Sequence, residues 1–325
     1  MIAPPLLAGR RMGLQLGGNN LFKAIGFKLA STLLFAIMSV LVRLMGEVTP
    51  VGQIVFFRGL FAIAPVLLIY AYRGQVAAAI YTRSPFGQLL RGVISATGMF
   101  ANFGALVRIP FAEVTAIGFA SPLMIVALAA VLLKERVGIF RWSAVAVGFA
   151  GVIVMLIPNL DFHLYAAATA ATAIGSLLAL LSAFTNSAAV IQTRHLVRSE
   201  TTPSIVFYFS LICAIAGAAT LPFSWHTPSL GGFAILVSIG VLGGYSHILL
   251  TESYRFAQAS VVAPFDYTAM IWAVLFGYWI FGEVPGLLVF IGAGIVVGAG
   301  LFVIWRERAL GIQRAREAEG PSVTI

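Results

Sequence analysis

Acidic residues are scarce in this chain, cysteine is nearly absent and long polar runs are missing. Only 11 of 325 residues are Asp or Glu, charged residues make up 10%, and Cys213 is the single cysteine. Soluble domains are about 25% charged and about 45–50% apolar. A chain that is 60% hydrophobic therefore does not fold as a soluble enzyme around one core, and it has too little charge for disorder. One cysteine excludes an intrachain disulfide, a CxxC redox pair and a Cys/His metal site. No Ser/His/Asp grouping has an interpretable spacing. No glycine-rich loop leads into Lys-Ser/Thr, so ATP hydrolysis is not expected and no cofactor is implied.

What the chain has instead is apolar runs of bilayer length. A helix crosses the hydrocarbon in about 20 residues. Ten runs fit this length, at 24–44, 52–72, 88–107, 110–133, 140–157, 172–194, 203–222, 231–252, 260–281 and 286–304. They are apolar nearly all round and lack the alternation of a barrel strand, so the fold class is an all-α integral membrane protein of ten transmembrane helices. Arg10 and Arg11 are followed by no apolar core of signal-peptide length before Gly17-Gly18-Asn19-Asn20, so no cleaved signal is expected. Residues 1–23 read as a cytoplasmic N-terminal segment and 305–325 as a polar cytoplasmic tail.

The net charge of +9 is explained by topology rather than by nucleic acid. With the N-terminus cytoplasmic, every Lys and Arg falls on the cytoplasmic side except Arg43, Arg108 and Arg58. Lys28, Arg91 and the tail residues Arg306, Arg308, Arg314 and Arg316 belong to that cytoplasmic set. Such asymmetry places both termini inside and requires an even number of spans.

The chain also repeats itself. Lys134-Glu135-Arg136-Val137 and Gly282-Glu283-Val284-Pro285 follow the fourth and ninth runs, with their glutamates 148 residues apart. At the same offset Ala112-Glu113-Val114 meets Ser260-Val261-Val262, and Ala144, Ala146 and Ala150 meet Gly292, Gly294 and Gly298. Five spans in each half, 24–157 and 172–304, make the second half inverted relative to the first. Inverted repeats around a midplane site are a common transporter plan.

Phe119-Ala-Ser-Pro122 through Glu135, and Ala259-Ser-Val-Val-Ala-Pro264 through Glu283, resemble the two EamA repeats of the drug/metabolite transporter superfamily. Gly148-Phe-Ala-Gly151 and Gly292 through Gly298 are similar to its glycine-rich closing helices. The resemblance covers about 24–304. It implies a ten-helix carrier of the bacterial cell inner membrane, with both termini inside, moving amino acids, metabolites, cofactors or toxic compounds. Ile54-Val-Phe-Phe-Arg58 is similar to branches that take up S-adenosylmethionine or riboflavin. One departure is that Pro264 pairs with Ala116 and Pro122 with Met270, so helix kinks do not transfer between the halves.

Scattered polar residues within the runs are the candidate substrate contacts. An Arg at a helix centre costs about 2.5–3.5 kcal/mol on insertion scales, so Arg58 is expected to face the interior. There it either binds a carboxylate or phosphate with its planar fork, or bridges structurally. Asp266 follows Pro264, whose missing N–H frees a carbonyl one turn earlier. It either binds a cation or proton, or caps backbone and pairs with an arginine. Tyr267 shares that site or simply packs. His247 either shuttles a proton or is a satisfied hydrogen-bonding residue. Asn102 and Asn186 either orient a solute or join helices. Phe119, Tyr208, Tyr245 and Trp272 line a pocket for a planar solute or serve as packing. Glu252 and Arg255 are spaced to pair locally or to latch a gate, and Glu113 suits a helix start. Gly294-x-x-x-Gly298 fits close helix packing, within one monomer or across a homodimer.

The resulting expectation is a secondary transporter that moves a small organic solute by alternating access, coupled to exchange or to protons. Its partners are that solute and the lipid bilayer, not nucleic acid. A zwitterionic or cofactor-like solute is favoured because Arg58 and Asp266 offer both charge signs. The alternatives are a membrane-embedded enzyme acting on a lipid-linked or hydrophobic substrate, which needs a cluster of acids, His or Lys at one face, and a channel or scaffold.

Overall fold

In a computed structural model of the protein, the described residues are 18–72, 74, 76–132, 138–157, 166–196, 199–257 and 262–319. The side chains of Arg141, Arg194, Arg255 and residues 307–319 are not among them. The first repeat junction Lys134–Val137, the partners Ser260 and Val261, the arginines Arg10, Arg11, Arg73 and Arg198, and the 158–165 link also lie outside the described residues.

The described chain forms helices and contains no strand. In order these are α1 (Gly18–Gly46), α2 (Val51–Tyr72), α3 (Val76–Ile80), α4 (Pro85–Leu106), α5 (Phe111–Gly118), α6 (Ser121–Leu132), α7 (Ile139–Leu156), α8 (Ala166–Leu196), α9 (Thr202–Ala218), α10 (Leu221–Ser224), α11 (Leu230–Phe256), α12 (Thr268–Phe281) and α13 (Leu287–Glu319), with a 3-10 turn at Ala263–Tyr267 ahead of α12. Polar punctuation sets their ends. Pro85 opens α4, where a missing N–H costs no helical bond. Ser229 Oγ caps α11 by accepting from Gly232 N–H at 3.1 Å. Gly282, at φ 65°, closes α12. There Glu283 N–H reaches back to Gly277 O at 2.9 Å and Gly282 N–H to Tyr278 O at 3.1 Å, a left-handed cap that suits glycine.

Two sequence expectations are corrected, and two features are added. The 110–133 run is two helices, because the chain breaks at Phe119-Ala120 just before Pro122, leaving α5 and α6. The 260–281 run begins as a 3-10 turn carrying Pro264 and Asp266. The helix α13 continues into the polar tail as far as Glu319, so Arg306, Arg308, Arg314 and Arg316 lie on it. A short helix, α3, occupies the link after α2.

Eight described helices or helix pairs are long and apolar enough to cross a membrane: Leu21–Gly46, Val51–Tyr72, Pro85–Leu106, Phe111–Leu132, Ala170–Thr193, Pro203–Phe223, Leu230–Ser253 and Leu287–Arg306. Trp142–Leu156 is apolar but shorter, and α12 has 14 residues. The protein is a multi-pass, all-helical membrane protein.

Helices pair closely: α1 with α11, α4 with α8, α2 with α9, α7 with α13, α2 with α11, α4 with α9, and α5 with α12. Small residues permit close crossings. A Cβ on Gly59 of α2 would lie 2.6 Å from Ala214 N and 2.7 Å from Ser210 O of α9. A Cβ on Gly217 of α9 would lie 2.5 Å from Phe56 N. Backbone thus meets backbone, as glycine allows. Gly294 and Gly298 behave otherwise: no atom lies within 4 Å of a Cβ at either, and both face outward. In α13 it is Gly292 that approaches the neighbouring helix, at Gly151 O.

Candidate solute cavity

A cavity of about 410 Å³ lies where α1, α2, α4, α5, α8, α9 and α11 converge. Arg58 projects into it from α2 and is 2% exposed. The α2–α9 glycine crossing fixes its distance from Phe209 on α9, whose ring centroid lies 5.1 Å from the Arg58 guanidinium carbon. The buried Nε and Nη1 of Arg58 have no hydrogen-bond partner. Unsatisfied buried donors are costly, so these two N–H groups await an acceptor.

A second arginine shares the same wall. Arg91 of α4 donates from Nε to Thr193 Oγ1 at 2.8 Å and from Nη1 to Ile205 O at 3.3 Å. Its guanidinium carbon lies 5.4 Å from the Phe209 centroid. His247 of α11 stands edge-on to Phe35 at 5.1 Å and packs on Phe209 at 5.7 Å. Asn102 of α4 and Asn186 of α8 complete the polar lining with Ser39, Ser95, Ser182 and Thr193. Asn186 Nδ2 donates to Ser121 Oγ at 3.1 Å, so this amide both lines the cavity and ties α8 to α6. No Asp or Glu is among the described lining residues.

Arg58, Asn102, Asn186 and His247 are therefore brought together, and the other expected contacts lie elsewhere. Asp266 faces α1, where its Oδ1 meets Lys28 Nζ at 2.6 Å. The carboxylate is half exposed and the ammonium is 1% exposed. Asp266 is not among the residues that line the cavity with Arg58, so the two charge signs that favoured a zwitterionic solute do not share that cavity. Tyr267 packs edge-on against Phe119 at 5.0 Å, in the α5–α13 half of the bundle. Trp272 stacks along Phe276. Tyr208 turns outward, its hydroxyl donating to Ile80 O at 2.9 Å. Tyr245 is 46% exposed on the outer surface. Glu113 does sit in the first turn of α5.

Sequence reasoning missed Arg91 and Lys28 because both were counted as cytoplasmic loop charge. The available signal was position: each falls inside an expected run, at 88–107 and 24–44. Phe209 was missed because nothing distinguishes it among 25 phenylalanines.

Two glutamates organise opposite ends of the bundle. Glu283 receives Arg43 through both terminal nitrogens, with Nη1 to Oε2 at 2.9 Å, and accepts Phe111 N–H at 3.1 Å. This joins the C-terminal end of α1, the N-terminal end of α5 and the close of α12. Glu200, in the α8–α9 link, accepts at Oε1 from Thr82 Oγ1 at 3.0 Å, Arg83 N–H at 2.7 Å and Ser84 N–H at 2.6 Å. Burial opposes its ionisation, but the hydrogen bonds from Thr82, Ser84, Arg83 and Gln88 win, and its pKa falls below the ordinary carboxylate value.

A polar pocket between the helices of a membrane bundle is a place where a small molecule can bind. The model of the EamA-like transporter family matches residues 22–157 and 173–305, and the chain belongs to that family. It is 32% identical to a riboflavin transporter of Rhizobium johnstonii over 71% of this chain and 74% of that one. It is 29% identical to an S-adenosylmethionine uptake transporter of Rickettsia prowazekii over 79% of this chain and 83% of that one. With a pseudopaline exporter of Pseudomonas aeruginosa it shares 27% identity over 82% and 90%. A solved crystal structure at 20% identity has the same fold, with a TM-score of 0.60 over 90% of this chain and 98% of that one. The protein is a small-metabolite transporter and not an enzyme.

Proposed function

We propose that this chain is a secondary carrier of the cell inner membrane that moves a small organic metabolite by alternating access. The observation that carries this reading is the central cavity, walled by helices from both family repeats and lined by Arg58, Asn102, Asn186 and His247. The relatives' named solutes, S-adenosylmethionine, riboflavin and pseudopaline, are metabolites, and two of those proteins are named for uptake and export respectively.

The proposal includes ten spans arranged as inverted repeats, 24–157 and 172–304. Helix pairing supports it. Exchanging the first five spans for the last five turns the α1–α11 pair into α8–α4, and α2–α11 into α9–α4. The pairs α2–α9, α5–α12 and α7–α13 map onto themselves, and all of these pairs are present. A two-fold relation of this kind, applied to halves of five spans, inverts one half in the membrane and lets one half rock against the other. Both termini are cytoplasmic, as the basic asymmetry implies. With no nucleotide site in the sequence, the driving force is exchange against a second solute or a proton gradient.

Purified protein in liposomes tests this. Saturable counterflow of labelled riboflavin, S-adenosylmethionine or an amino acid is expected. Flux that rises without saturation points to a channel, and absence of flux for all of these solutes counts against the carrier. Fusing a reporter active only in the cytoplasm after Ile325 is expected to give signal, and the same reporter in the 159–163 link is not.

A further inference from the structure

Resting on the carrier reading, we infer that the transported solute is an organic anion whose carboxylate or phosphate is held by Arg58 and Arg91 beside Phe209. Several independent features converge. The two guanidinium carbons lie 5.1 and 5.4 Å from one phenyl centroid, so two fixed positive charges share one cavity. No acidic side chain among the described lining residues neutralises them. The acid that the sequence seemed to offer, Asp266, is bound to Lys28 outside the cavity.

The hydrogen-bond inventory sharpens the chemistry. Arg91 spends Nε and Nη1 on Thr193 and Ile205, which anchors it. Arg58 keeps Nε and Nη1 unpartnered and buried. These donors sit on different edges of the planar guanidinium, so each is open to its own acceptor oxygen, as the oxygens of a carboxylate or phosphate can supply. A neutral or cationic solute would leave two enclosed cations uncompensated, which is strongly unfavourable in a low dielectric. Each ring contact of Phe209 shields a guanidinium from water and strengthens its pull on an anion. The amides of Asn102 and Asn186 are placed for the uncharged remainder, and a volume near 410 Å³ limits that remainder to metabolite size.

The test uses the full chain and paired probes with and without an anionic group. Thermal unfolding in detergent is followed with adenosine monophosphate against adenosine, and with indole-3-acetate against indole-3-acetamide. Stabilisation by at least one anion over its uncharged counterpart is expected, because a ligand that binds only the folded state raises stability. Arg58→Gln and Arg91→Gln should each weaken the anion by roughly tenfold or more. Arg58→Lys should recover only part, since it keeps the charge and loses the fork. Arg91 is only partly buried, so its variant remains informative if Arg58→Gln does not fold. No stabilisation by either anion, equal stabilisation by the uncharged partners, or an unchanged anion response in Arg91→Gln overturns the inference. Liposome counterflow, with adenosine monophosphate and indole-3-acetate added to the probes, separates this from the carrier reading: saturable flux without anion preference sinks the anion inference alone, and no saturable flux of any probe sinks the carrier.

Discussion

The Arg43–Glu283 bridge gives the sharpest energetic expectation. Arg43 is 18% exposed and Glu283 15%, so water screens the pair poorly. Arg43 also lies 4.5 Å above the Phe281 ring, which holds the guanidinium in place. Hydrogen bonds to charged groups contribute about 1.5–3 kcal/mol each against a neutral reference. Glu283→Gln removes the charge and leaves Arg43 without its carboxylate, a loss of roughly 2–3 kcal/mol. Arg43→Ala leaves Glu283 with Phe111 N–H and should cost somewhat less. The double variant should be milder than the sum of the two, with a coupling of about 1–3 kcal/mol. In thermal unfolding, each kcal/mol corresponds to roughly 2 °C for a chain of this size.

A second readout separates the two arms of Glu283. Exchange of the Phe111 amide hydrogen should accelerate in Glu283→Gln, because a neutral amide oxygen is a weaker acceptor, and change little in Arg43→Ala. If the single variants add to within about 0.5 kcal/mol, the bridge is screened and contributes nothing measurable. If Phe111 exchange rises equally in both variants, the junction opens as a unit and the partition argued above is wrong.

Other perturbations follow from the same structure. Gly59→Ala should destabilise by about 1–3 kcal/mol, since its Cβ meets backbone of α9; Gly294→Ala, with open space around it, should be neutral or slightly stabilising in the same melt. Glu200 has a lowered folded pKa, so its stabilisation is fully present above the unfolded value of about 4.3 and is lost as pH falls through the folded value. Glu200→Gln should therefore lower the melting temperature at neutral pH and flatten that acid limb, and an unchanged acid limb would refute the assignment. Asp266→Asn should destabilise more than Lys28→Met, because it leaves an ammonium that is 1% exposed without its carboxylate, whereas the half-exposed carboxylate is readily hydrated. The reverse order in paired melts would contradict that reading.

The fold was legible because membrane burial constrains backbone and composition together. A run of about 20 apolar residues has few alternatives to a helix in lipid, so each expected run has a helical counterpart in the structure. Helix length and local breaks were less legible. Hydropathy sees no difference between a continuous helix and α5–α6, which break before Pro122. Arg58 was legible because an isolated cation inside an apolar run has one tolerable direction to face. Arg91 and Lys28 were hidden by the counting that made the topology clear: a basic residue near a run's end looks like loop charge whether it reaches the headgroups or turns inward. Only side-chain placement decides, and here it sends Arg91 to Phe209 and Lys28 to Asp266. That redistribution also changes the chemistry. With Lys28 taking Asp266, the cavity keeps two cations and no described anion, and the charge balance that the sequence appeared to give the site belongs instead to the α1 contact.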